Sequence, residues 1–133
     1  MGRSPITRAE VDLSDVQGIV RFGYGKMTQA EYVLLRGRDA AAARSWLRSA
    51  PVTTAVTKSP PPSTAMQVAF PVQGLQALGV PASVLAGFSP EFLGGMTEAS
   101  RLRRLGDVGA NAPASWDWGW AARVPHLVVM FFA

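Results

Sequence analysis

The C-terminal run Leu127-Val128-Val129-Met130-Phe131-Phe132-Ala133 is apolar at every position. It is long enough for a strand and far short of the about 20 residues that a membrane helix needs. A strand with no polar alternation keeps both faces from water. Whatever sheet contains it must therefore be covered on two sides there.

The upstream segments supply the rest of a sheet. Glu31 to Arg36 is a compact apolar run with polar flanks and predicts a strand. Asp39 is placed to cap a helix in which Ala43, Trp46, Leu47 and Ala50 form one buried stripe, and Pro51 ends it. Val52 to Thr57 alternates and is β-branched, which predicts a second strand. Lys58-Ser59-Pro60-Pro61-Pro62-Ser63 is a stiff, exposed connection. Thr64 to Phe70 predicts a third strand, with Met66, Val68 and Phe70 on one face. Short helices follow at Val72–Leu78 and Ala82–Ala86. Another opens at Ser89-Pro90, runs towards Arg104 and is interrupted at Gly94-Gly95. Gly106 to Trp120 is a loop rich in Gly, Pro and Trp, and His126 to Phe132 is the last strand.

The order is β-α-β-β-α-β with an added helix and loop before the last strand. It predicts an α+β, ferredoxin-like domain with a four-stranded antiparallel sheet. The first and third strands are expected in the centre, the second and fourth at the edges. Residues 1–14 read as a loose arm and 15–133 as the domain. Asp15 to Gly25 reads as a helical turn followed by an extended piece. An apolar edge strand invites pairing. The expectation is that something outside this polypeptide covers the second sheet face or the edge, unless the Trp-rich loop or the arm does so.

Composition narrows the function. Cysteine is absent, which excludes disulfides, thiolate haem ligation and iron–sulfur clusters. His126 is the single histidine, so a multi-histidine metal site is excluded. The net charge is +4 and eleven of the basic residues are Arg, a balance that permits an acidic partner without requiring one. The third strand lacks the stacking aromatics of RNA-recognition modules, so no nucleic-acid partner is expected. Met1 to Leu13 has no apolar signal region, and no membrane association is expected. The expected setting is the cytoplasm.

Several segments, taken in order, carry a resemblance. They include Asp15-Val16-Gln17-Gly18 to Gly23-Tyr24-Gly25, Tyr32-Val33-Leu34-Leu35-Arg36, and Asp39 to Leu47. The most specific stretch is Pro90-Glu91-Phe92, Gly95-Met96, Arg101, Leu105-Gly106-Asp107-Val108-Gly109, Ala112-Pro113, Trp116 and Trp118-Gly119, followed by His126 to Ala133. Over residues 15–133 the chain resembles the N-terminal half of dye-decolourising (DyP-type) haem peroxidases. The resemblance implies two domains, with haem seated largely in the second, and peroxide-driven oxidation of dyes and other organic reductants. The family's distal acid, proximal histidine and distal arginine lie beyond the matching half. No catalytic, cofactor-binding or metal-binding residue is carried over, and no cofactor is expected on this chain alone.

His126 opens an apolar strand, and a structural or surface role outweighs haem ligation. Asp107, between two glycines, reads as a cap or turn. Asp117 with Trp116 and Trp118 resembles a small binding shelf, though loop anchoring is the better reading. Arg101, Arg103 and Arg104 could meet a phosphate or propionate but read as a solvated helix face. Arg36 and Arg38 are not taken as one patch. The resulting expectation is a non-catalytic subunit or truncated domain that pairs with a separately encoded haem domain. The alternative is a non-enzymatic homodimer or small-ligand module, the dimer packing two sheets face to face.

Overall fold

The computed structural model describes residues 11–133. The expected arm over 1–14 thus lies mostly outside the described residues. Its end is a tight turn in which Ser14 donates from its backbone N and its Oγ to Asp12 Oδ1, at 2.9 and 2.6 Å.

Eight principal elements follow: β1 (Ala30–Leu35), α1 (Ala40–Ser49), β2 (Ala65–Ala69), α2 (Val72–Ala77), α3 (Ala82–Leu85), α4 (Pro90–Gly94), α5 (Ala99–Leu105) and β3 (Leu127–Phe132). Local chemistry explains most boundaries. Asp39 Oδ1 accepts from the amides of Ala41 and Ala42 at 2.8 and 3.0 Å and starts α1. Ser89 Oγ accepts from Phe92 N at 3.3 Å and starts α4. Gly94-Gly95 breaks the next helix as expected, with Gly95 at φ +61°, and α5 resumes behind a Glu98 cap. No helix among the described residues is long and apolar enough to cross a membrane.

The fold is α+β, but its sheet has three antiparallel strands in the order β1-β3-β2. This corrects the expected four-stranded ferredoxin-like sheet. Val52–Thr57 is not a strand of the sheet. Only Thr54 makes an isolated bridge, to Gln17. Thr53 reaches Met66 once through its backbone N (2.9 Å) and once through its own Oγ1 (3.1 Å). Beyond that point Gln17 takes over: Val68 N donates to Gln17 Oε1 at 2.8 Å, and Gln17 Nε2 donates to Val68 O at 2.9 Å. One side-chain amide thus stands in for a strand backbone along the outer edge of β2.

The strand order is corrected as well. β3 lies in the centre and β1 and β2 at the edges. β3 is paired along both sides, Val129 opposite Val33 on one and Val68 on the other. Its unbroken apolar sequence is that of a central strand, so the expected exposed apolar edge at β3 does not exist.

The register sorts side chains onto two faces. Val33, Val129, Met66 and Val68 share the face that forms the core, together with Ala50, Val52, Phe70 and Leu127. The α1 stripe is looser than expected. No α1 residue is buried, and Trp46 is 40% exposed. α2 approaches closely, since a Cβ at Gly74 would collide with the carbonyl of His126.

Candidate functional site

The opposite face carries Ala30, Tyr32 and Leu34 from β1, Phe132, Met130 and Val128 from β3, and Ala65, Gln67 and Ala69 from β2. None of these side chains is charged. The β2 side is covered by the segment around Gly18–Tyr24. Gln67 is fully buried there. Its Nε2 donates to Tyr24 Oη (2.9 Å) and to Thr53 O (3.0 Å), and its Oε1 accepts from Ile19 N (3.4 Å). The Tyr24 ring lies 5.1 Å from that of Phe132. Burial raises the Tyr24 phenol above its usual range, against the opposing effect of the Gln67 hydrogen bond. Asp15 to Gly25 therefore forms the expected helical turn, a 3₁₀ turn at Gly18–Val20, and a strap across the sheet.

The β1 side stays open. Tyr32 is 61% exposed and Leu34 38%. At the Leu34 end, the sheet and the Trp-rich loop enclose an open cleft of about 1160 Å³. Its floor includes Leu34, Val128 and His126, and its loop wall includes Trp116, Trp118 and Trp120. The loop is tied by its own backbone. Trp116 Nε1 donates to Asn111 O at 3.0 Å, Gly119 N to Arg123 O at 3.0 Å, and Arg123 Nη1 to Asp117 O at 3.3 Å. Short 3₁₀ turns at Gly109–Asn111, Pro113–Ser115 and Ala121–Arg123 carry the chain around it.

No protein-family model matches this chain, and no curated protein matches it.

The candidates separate clearly in space. Arg36, Asp107, Asp117, Trp116, Trp118 and His126 all line the cleft. Arg101 does not. Its Nη1 donates to the Glu91 and Gly95 carbonyls, which ties α5 to α4. Arg103 and Arg104 are exposed in the last turn of α5, on the solvated face expected of them. Arg38 is exposed and outside the cleft lining, whereas the Arg36 guanidinium is bound to Ala122 O. Asp107 follows the left-handed Gly106 cap of α5, and its amide donates to Leu102 O at 2.9 Å, so its backbone has the turn role expected. The lining residues not singled out from sequence include Trp120, Phe70, Met96 and Val128. A signal existed for the first: Trp116, Trp118 and Trp120 alternate, and extended backbone puts alternate residues on one side.

The surroundings of His126 do not fit a haem ligand. His126 is the only imidazole, and its Nδ1 is buried without a hydrogen-bond partner. A ligating histidine is held by a bond from its other ring nitrogen, and iron bound at Nε2 would leave an unsatisfied N–H inside the fold. The described residues contain no group of metal-binding side chains.

Proposed function

We propose that this chain is a non-catalytic domain, similar to the first half of a dye-decolourising peroxidase, that packs its uncharged sheet face against a haem-bearing half. The observation that carries this reading is the exposure of Tyr32. The core face is packed around Val129 by Ala50, Val52 and Phe70, whereas Tyr32 on the other face is 61% exposed, more than Leu34, Leu35 or Phe131. An exposed apolar patch on a sheet marks an interaction surface. The ordered sequence resemblance supports the identity of the partner, and the misfit of His126 as an iron ligand supports placing haem there. A chain without cysteine suits a cytoplasmic setting, which belongs to the same proposal.

The test begins with the chain purified alone and mixed with haem. No ligated-iron Soret band and no peroxide-dependent dye oxidation are expected. Both activities should appear only when a haem-binding partner is added. Peroxidase turnover by the isolated chain would overturn the proposal.

A second reading has one observation in its favour. Because the open face bears no charge, two copies could pack face to face without like-charge cost despite a net charge of +4. Sedimentation of the isolated chain separates the two. A stable dimer supports self-pairing, and a monomer that associates only with a haem-bearing chain supports the first reading.

A further inference from the structure

The electrostatics of the cleft run against those of the whole chain. Its four ionisable lining side chains are Arg36, Asp107, Asp117 and His126. The Arg36 guanidinium already donates to Ala122 O. Among the described residues, neither the Asp107 nor the Asp117 carboxylate accepts a hydrogen bond or forms an ion pair. Arg36 keeps its charge while donating, so one Arg and two Asp give the lining a formal net charge of −1 on a chain of net charge +4. The wall around it is made of indoles, and Trp118 is 55% and Trp120 38% exposed. Indole faces carry the negative lobe of the ring quadrupole, so rings and carboxylates attract the same ligand charge.

Size and donor set then restrict the class of cation. A cleft of about 1160 Å³ is far larger than a metal ion needs. The carboxylates belong to no metal-binding group among the described residues. The floor is apolar at Leu34, Ala69 and Val128. We infer that this cleft binds an organic cation: an ammonium head against the tryptophans and the two carboxylates, with an apolar body on the sheet. Ammonium heads that cannot be fully hydrated, such as quaternary ones, suit indole faces best. This inference goes beyond the domain-pairing reading and does not rest on it: the ligand takes the Leu34 end of the face, and the Tyr32 end, outside the cleft lining, is left to a partner chain.

The experiment is a tryptophan-fluorescence titration of the full chain with three probes of similar size: benzyltrimethylammonium, neutral benzyl alcohol and benzoate. Saturable binding of the cation is expected, at least about tenfold tighter than that of either other probe. The double variant Asp107→Asn with Asp117→Asn should lose about tenfold in cation affinity and leave benzyl alcohol unaffected, with circular dichroism confirming the fold. Should that variant not fold, the salt dependence of the unaltered chain serves instead. Cation binding must weaken between low and physiological ionic strength, while benzyl alcohol binding does not. Benzoate binding as tightly as the cation, no saturable cation response below about 10 mM, or salt-independent cation binding would each overturn the site.

Discussion

Gln67 shows how far one side chain can organise this fold. It is fully buried among the described residues, and both ends of its amide are engaged. Gln67→Leu keeps the volume but removes the partner of Tyr24 Oη and Ile19 N, while Thr53 O keeps its bond from Gly18 N. An unsatisfied buried group costs about 1–3 kcal/mol, and these two are only partly buried, so a loss of about 1–2 kcal/mol is expected in a urea titration. Loss of under about 0.5 kcal/mol would show that the strap is not held by this residue. Gly74 makes an independent case. Its Cα faces the His126 backbone, and backbone cannot move aside as a side-chain tip can. Gly74→Ala should therefore push α2 off the sheet and lower the melting temperature, although alanine is the better helix former. None of this was visible in sequence. Gln17 and Gln67 read as ordinary polar residues; the Gln17 side chain finds its partner 51 positions away and that of Gln67 finds its partners 14–48 positions away.

Elements were legible where their chemistry is local. Asp39, Pro51, Ser89-Pro90 and Gly94-Gly95 each act through neighbours within four residues, and each marks the boundary expected of it. Val52–Thr57 failed because β-branched alternation reports a tolerance for extended backbone, not a partner. Of that segment Thr53 reaches β2 at Met66, and the groups at Val68 go to Gln17 instead. The position of β3 was misread although its signal was present. A run apolar on both faces fits the centre of a sheet better than an edge. The site was legible as a Trp-rich loop with Asp117, but not its closure against Leu34 and His126, which depends on strand order. At the start of α5, Glu98 yields an element-scale prediction. Hydrogen bonds from the Ser100 side chain and amide, then from the Arg101 amide, lower its carboxyl from 4.5 to about 2. The sign follows from linkage. A depressed carboxyl stabilises the folded state above its unfolded value and loses that contribution as pH falls towards about 2. Carboxyl NMR should show Glu98 titrating well below other exposed glutamates, and α5 amides should lose exchange protection only within that acid window. Titration of Glu98 near 4.5 would show the cap is not formed.

At the scale of the whole molecule, the exposed area is large for the chain's mass. A compact 14.2 kDa monomer presents roughly 6,800 Å², whereas this chain presents 9919 Å². Even after setting aside about 1,600 Å², the most that residues 1–10 could present as extended chain, the remainder exceeds that of a compact domain by roughly 1,900 Å². A standard interface takes about 800 Å² from each partner, so the surplus is enough for one large contact. Looped helices with little burial contribute part of it, which is why area alone cannot locate that contact. Tyr32 can. It sits on the uncharged sheet face, is 61% exposed, and lies outside the cleft lining. Its main internal contact is an edge-on approach to Phe132 at 6.3 Å. Tyr32→Lys should therefore cost the isolated fold no more than about 1.5 kcal/mol, the upper worth of such an aromatic pair. In an association interface the same change would bury an unpaired ammonium, which costs several kcal/mol. Sedimentation of the variant should show association, with itself or with a haem-bearing chain, weakened at least about a hundredfold while organic-cation binding in the cleft persists. Unchanged association would place the contact elsewhere on the molecule. Equal loss of association and of stability would mean that Tyr32 belongs to the core.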